Sequence, residues 1–415
     1  MPIYRLENVI QPYAWGSKFA IAELLGHPAP AREPQAELWM GTHPNGQSRV
    51  VVNGERITLQ QLIDRQPVDI LGVDSARRFG NALPFLFKVL AADRPLSIQA
   101  HPDKHQAAAG FSRENRQGKA PDAPDRSYRD DNHKPEIICA LTPFWGLNGF
   151  RSAERAAELM APVCPRVLDD CFQGLKRDRG HGLKNFFEAM LTLSADQRRA
   201  AAIEVLDNAR PLVDRSPVYR WMVDLAGAYP ADIGILSPAL LNLICLEPGQ
   251  AMYLPAGQLH AYLEGVGIEL MANSDNVLRG GLTPKHVDVP ELLRVVRFVE
   301  TSPAVIHAAP LRSAEDGYAC PAEEFFLSIV KATPGRTYRS PATRSVEILL
   351  CTEGAGRITA GNQDLFLAVT KGDSVLVPAG LESYTIDGHL TLYKAAVPLP
   401  RRQAPSAYPI SSDTG

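Results

Sequence analysis

Over residues 1–150, apolar residues come in short runs broken by Gly, Pro and Asn, as in "AELWMGTHPNGQSRVVVNGE" and "LPFLFKVLAADRPLSIQAHPD". Both read as strands joined by turns, an all-β pattern. Residues 110–134, "GFSRENRQGKAPDAPDRSYRDDNHK", show no period and predict a long loop. From about 151 the spacing becomes helical, in "SAERAAELMA", "SADQRRAAAIEVLDNA" and "VYRWMVDLAGAYP", with Ser194 and Gln197 as a capping box and Pro230 as a stop. Strand texture returns near 237 and persists, apart from a helical "VPELLRVVRFVE" at 289–300. Within it, "AMYLPAGQLHAYLEG" predicts strand, tight turn, strand. Alternation in the second strand puts Leu259 and Ala261 on one face and His260 with Tyr262 on the other.

Two segments, "EPGQAMYLPAGQLHAY" and "TKGDSVLVPAGLESYT", align Gly249 with Gly372, Pro255 with Pro378 and Gly257 with Gly380, which sets Ser383 against His260. The repeat predicts duplicated β-barrel units of which one keeps a site. A length of 415 residues calls for more than one core. A net charge of −3 gives no case for nucleic acid or an anionic membrane. No apolar stretch is long enough to span a bilayer, and the N-terminus lacks the pattern of a secretory signal. Six scattered cysteines without CxxC pairs suit a reducing cytoplasm and argue against a thiolate metal site.

The chemistry concentrates in three segments. In "LSIQAHPDK", read as a strand, Ser97, Gln99 and His101 share one face. "NHKPEIICAL" offers Glu136 at the head of an apolar run, with Lys134 on the same face. With His260 these give His101, Glu136 and His260 as metal donors, a set ordinary for Zn²⁺ and usable by other divalent ions, and Gln99 as a neutral oxygen donor unusual for zinc. Taken singly, each has a structural alternative: a histidine bonded to a carbonyl, a strand-end carboxylate, the polar face of a sheet. After His260, "GVGIELMANSDNVLRGGLTPKHVDVPELL" presents Glu269 on a strand, then Arg279, a Gly pair, Thr283 and Lys285, which can gather cations and backbone amides around an anion.

The segments "QPYAWGS", "ELWMGTHPNG", "LPFLFKVLAADRPLSIQAHPDK", "NHKPE", "FWGLNGF", "YLPAGQLHAYL" and "MANSDNVLRGGLTPKHVDV" resemble the type I mannose-6-phosphate isomerases (phosphomannose isomerases), from residue 12 to about 289 in the family's order. The resemblance implies a mainly β fold with a helical insertion: two cupin-like (jelly-roll) β-barrel domains plus an α-helical domain. A catalytic metal-binding unit would span 1–150 and 237–300, the helical domain 151–236, and a C-terminal cupin-like domain without metal ligands 301–415. It implies one Zn²⁺ held by Gln99, His101, Glu136 and His260, and interconversion of mannose 6-phosphate and fructose 6-phosphate. Glu269, Tyr262, Arg279 and Lys285 match the active-site region, Ser97 and Lys134 match substrate or phosphate contacts, and Lys88 matches the cleft. His133, Lys134 and Asp275 match positions considered for proton transfer. Glu264 departs from the smaller polar residue expected there, outside the ligand set.

Such a reaction opens the sugar ring, removes a proton from C2 and returns one to C1 through an enediol. A metal with one anionic ligand keeps positive charge for a sugar oxygen, and Glu269, raised in pKa by burial, is the expected base, with Lys134 or His133 as runner-up. The partner is a small sugar phosphate, and the protein is expected to be a cytoplasmic monomer. Two other readings compete: a cupin oxygenase using Fe(II) on the same ligands, and a non-catalytic sugar-binding double barrel.

Overall fold

The computed structural model describes residues 1–178, 181–361 and 366–399; the end of the 301–415 unit lies outside the described residues. Two large sheets dominate, one of eleven strands and one of nine, beside a two-stranded hairpin. The spine of the larger sheet is the 13-residue strand His260–Ala272. Its later half lies between Phe85–Ala92 and Glu136–Ala140, while its start pairs with Ile98–Ala100 and Phe144–Phe150. The change of partners falls at a bulge between Tyr262 and Glu264, followed by Gly265 at φ +129°. A side chain at 265 would collide with the backbone of Pro143 and Phe144, so only glycine lets the strand turn there.

The alternation expected of this strand is the one observed. Leu259, Ala261 and Leu263 join a core with Phe186, Phe187, Met190, Val205, Met222 and Leu225 from the middle of the chain. That middle is helical: Ala153–Met160, Asp169–Arg177, Gly182–Thr192, Ala195–Ala209 and Pro217–Ala228 pack as a cover on this half of the sheet. The Ser194–Gln197 capping box forms as the sequence predicts. The other face of the strand, with His260 and Tyr262, turns inward.

The nine-stranded sheet is built mainly from Glu315–Tyr318, Phe326–Ala332, Glu347–Ala360, Ser374–Val377 and Tyr384–Ala396, and Tyr4–Arg5 adds to its edge through Ser374–Val377. Gly249 and Gly372, paired by the repeat, both have positive φ and precede the strands Gln250–Leu254 and Ser374–Val377. Ile348, Leu350, Tyr393 and Ala395 share one core with Phe87, Val89, Ile137 and Cys139. The strand carrying Glu136 is thus buried on both faces.

Three expectations need correction. The interval 110–134 is not all loop: Lys104–Arg116 is a helix, capped by a reciprocal Asp103–Gln106 box. Its buried side is Ala107, Gly110 and Glu114, with Glu114 accepting from the backbone N–H groups of Ser127 and Tyr128, so there is no apolar stripe to read. Short helices at Leu59–Arg65, Pro67–Leu71 and Val73–Arg78 interrupt the all-β texture of the first 150 residues. The helix expected at 289–300 ends at Val295, because Val296 is extended and the Arg297 N–H bonds Gly257 O at the Pro-Ala-Gly turn. No described helix is long and apolar enough to cross a membrane.

Candidate active site

The ladder brings the three chemical segments together. His260 pairs with Gln99, Gln99 pairs on its other side with Arg279, and Glu269 lies opposite Lys88. His101 follows Ile98–Ala100 directly, and Glu136 opens its strand across from Met271. His101, Glu136 and His260 therefore converge, all at most 1% exposed, with their ligating atoms within 4.8 Å of one another.

The histidine tautomers follow from their partners. Nδ1 of His101 is 2.7 Å from Asn276 O, and Nδ1 of His260 is 3.0 Å from Gln258 O. A carbonyl only accepts, so each Nδ1 carries the proton and each Nε2 presents a lone pair. Those Nε2 atoms lie 3.4 and 3.3 Å from the oxygens of Glu136 with no proton between them. His101 Nε2, His260 Nε2 and Glu136 Oε2 are buried without a hydrogen-bond partner. Orphaned acceptors at one point are costly unless a cation satisfies them, and two imidazoles with a carboxylate form a fitting set for a divalent metal. The Nδ1 bonds are the outer-shell anchors such ligands use.

Burial alone would raise the Glu136 pKa, but the Lys134 ammonium at 3.0 Å opposes it and the carboxyl is held well below its ordinary value. Burial and then Lys134 push His101 down to about 4. Gln99 faces the cleft beside His260.

The cavity beside this cluster has a volume of about 960 Å³ and is walled by Ser97, Gln99, Lys134, Tyr262, Glu269, Asp275, Arg279 and Lys285 among others. Glu269, 3% exposed, accepts from Tyr262 OH at 3.0 Å and from Lys88 Nζ at 2.8 Å. Its pKa is raised, by burial above all, with Lys88 opposing and the nearby carboxylates of Glu136 and Glu37 adding to the rise. Burial raises the Tyr262 hydroxyl as well, helped by Glu269. Arg279 and Lys285 are each shifted down, by burial first and then by neighbouring cations: Arg129 acts on both and Arg279 on Lys285. Among the described residues none of Arg129, Arg279 and Lys285 forms an ion pair, so the cavity lining carries positive charge not held in close pairs.

His133 is not part of that wall: its Nε2 lies 2.6 Å from Glu324 Oε1. Glu264 is exposed and does not line the cavity. Several residues escaped the sequence reading. Glu37 bonds the indole N–H of Trp39 and lies 3.6 Å from Lys88 Nζ. Tyr13, Trp15 and Tyr229 also line the cavity, as does Arg129, and Asn276 holds His101. Glu37 and Trp39 lie within "ELWMGTHPNG", but nothing in that run marks them as facing Lys88.

Comparison with known proteins agrees with the geometry. Residues 3–153 match the family described as phosphomannose isomerase type I, catalytic domain, and residues 321–397 match mannose-6-phosphate isomerase, cupin domain. The chain is 40% identical over 391 residues to the mannose-6-phosphate isomerase of Escherichia coli K12, covering 93% of this chain and 97% of that one. It is 36% identical over 382 residues to the Homo sapiens mannose-6-phosphate isomerase, covering 85% and 88%. The fold matches a crystal structure of a mutant phosphomannose isomerase from Salmonella typhimurium with a TM-score of 0.87 at 36% identity, over 96% of this chain and all of that one. A zinc-bound mannose 6-phosphate isomerase matches with a TM-score of 0.86 at 37% identity over the same shares.

Proposed function

Because the chain belongs to the type I mannose-6-phosphate isomerase family and is an isomerase, we propose that it interconverts mannose 6-phosphate and fructose 6-phosphate by proton transfer through an enediol at the cleft beside His101, Glu136 and His260. The observation that carries this reading is the trio of buried, unpartnered ligand atoms, one of them on Glu136 in the wall of a cavity that also holds Glu269, Arg279 and Lys285. His101, Glu136 and His260, with Gln99 as the fourth donor, would hold one Zn²⁺ per chain. When bound, that ion supplies positive charge to a sugar oxygen as a C–H bond breaks.

The chain's own residues do the rest. Glu269 is the base for the C2 proton: it is buried in the cleft wall, its pKa is raised, and Tyr262 and Lys88 fix its orientation. Lys134, 3.0 Å from Glu136, belongs to the metal end of the cleft and steadies charge there. Arg279 and Lys285 meet negative charge on the enediolate or the phosphate, with Ser97 on the same wall and Asp275 accepting from a sugar hydroxyl. The proposed working unit is a monomer. Six free cysteines support a reducing, cytoplasmic setting.

The two large sheets support two cupin-like barrels, 1–150 with 237–300 and 301–415, and a helical unit over 151–236. The strand Tyr4–Arg5 crosses that division by pairing with Leu376 and Val375. The test is anaerobic turnover of mannose 6-phosphate before and after chelation. Isomerisation lost on chelation and restored by zinc agrees with the reading; turnover indifferent to chelation, or dependent on O₂, contradicts it.

A further inference from the structure

"GTHPNG" is among the most polar of the motifs near the cleft, and no role has yet fallen to it. Its histidine, His43, is 3% exposed. The Asn45 N–H donates to His43 Nδ1 at 3.2 Å, so that nitrogen accepts and the ring proton is on Nε2. Nε2 lies 3.1 Å from Asp275 Oδ1. The other oxygen, Oδ2, accepts from Asn45 Nδ2 at 3.3 Å. One short loop therefore commits its donors to both oxygens of a single carboxylate. The ring plane is set by the edge of Trp39, with centroids 4.8 Å apart at 76°, and the loop is closed by the Gly46 N–H on His43 O at 2.9 Å. From the opposite side the backbone N–H of Asp275 donates to Asp130 Oδ2 at 2.7 Å.

The placement is asymmetric: the His43 side chain is 4% exposed, whereas that of Asp275 is 37% exposed and lines the cavity. A buried imidazole and an exposed amide thus present a carboxylate to the space where substrate would lie. Lys134 and Arg129 also attract Asp275. Without the loop the carboxylate is free to swing toward those cations and turn its lone pairs from the substrate.

We infer that His43 is a positioning residue for the isomerisation, acting through Asp275, with Asn45 fixing its tautomer. The inference rests on the proposed reading of Asp275 as a group that accepts from a sugar hydroxyl. A misplaced reacting group costs on the order of 100-fold in rate, which sets the expected effect.

The test uses the zinc-loaded full chain, with kcat and KM for mannose 6-phosphate, zinc content and melting temperature measured for His43→Leu, His43→Gln, Asp275→Asn and the double variant His43→Leu with Asp275→Asn. His43→Leu should lower kcat/KM by on the order of 100-fold with zinc content unchanged. His43→Gln, whose amide N–H reaches a similar point, should recover most of the loss. The double variant should be no worse than Asp275→Asn alone. Should His43→Leu fail to fold, His43→Asn serves instead, since its amide can still accept from the Asn45 backbone N–H but places no donor where His43 Nε2 meets Asp275: lowered kcat/KM supports the inference, and unchanged kcat/KM overturns it. Impaired Asp275→Asn beside a fully active His43→Leu, or losses that multiply in the double variant, overturns the inference alone. Full turnover in Asp275→Asn overturns the reading of Asp275 and the inference together.

Discussion

Glu269 has both oxygens engaged, one by Tyr262 OH and one by Lys88 Nζ, yet each carboxylate oxygen keeps a further lone pair for a substrate proton. The two donors hold the group still, and burial raises its pKa toward the range a base needs at neutral pH. Replacing Glu269 by Gln preserves shape and leaves Lys88 its second partner, Glu37. Isomerisation should then fall by about 10²–10⁴-fold, while zinc content, read by atomic absorption, stays at the wild-type level. A Gln variant that still turns over would remove Glu269 from the role. Glu136→Gln is the contrasting case: it takes the charge from the metal cluster and strands Lys134, so metal content itself should drop.

At the scale of elements, strands delivered what alternation promised, because buried and open faces of a sheet leave a period of two in the sequence. Leu259 and Ala261 pack under the helices, and His260 turns inward, as the pattern predicts. The helix Lys104–Arg116 was illegible for the opposite reason: it is fastened by Asp103, Gln106 and the buried Glu114, polar contacts that leave no apolar rhythm. The metal candidates were legible as residue types, but their convergence depends on strand order, which one sequence does not print. His133 shows the same limit. It neighbours Lys134 in sequence, yet it reaches Glu324, on the segment leading into Phe326–Ala332 of the second sheet. Burial would raise the Glu324 carboxyl, but the His133 contact outweighs it and holds the pKa below its ordinary value. A depressed folded-state pKa stabilises the fold above the unfolded value, about 4.3, and that contribution fades as pH falls through the folded value. Glu324→Gln should therefore cost about 2 kcal/mol near neutral pH, and the gap from wild type should narrow as pH falls below about 4.3 and vanish below the depressed folded-state value. Denaturant midpoints across that window measure it; a gap independent of pH would mean that the pair is not the source.

Across the whole molecule, the two sheets and the helical cover divide the work of making one dry site beside one open cleft. The core shared by both sheets backs the Glu136 strand, while the helices back His260, so the metal cluster is pressed between two apolar masses. The second sheet has a buried cluster of its own around Lys394, ion-paired to Glu315 at 2.6 Å and Glu347 at 3.2 Å, with Tyr384 OH on Glu347. There the buried carboxylates are met by an ammonium; in the first sheet Lys134 meets one oxygen of Glu136, but Glu136 Oε2, His101 Nε2 and His260 Nε2 are left facing one another without a partner. That contrast points to the first sheet as the seat of the chemistry. Anomalous diffraction at the zinc edge, on crystals of the zinc-loaded protein, tests this most directly. The account predicts a single strong peak bonded to His101 Nε2, His260 Nε2 and a Glu136 oxygen, with the Gln99 side-chain oxygen alongside. A zinc peak elsewhere, with those three side chains still unpartnered, would contradict it.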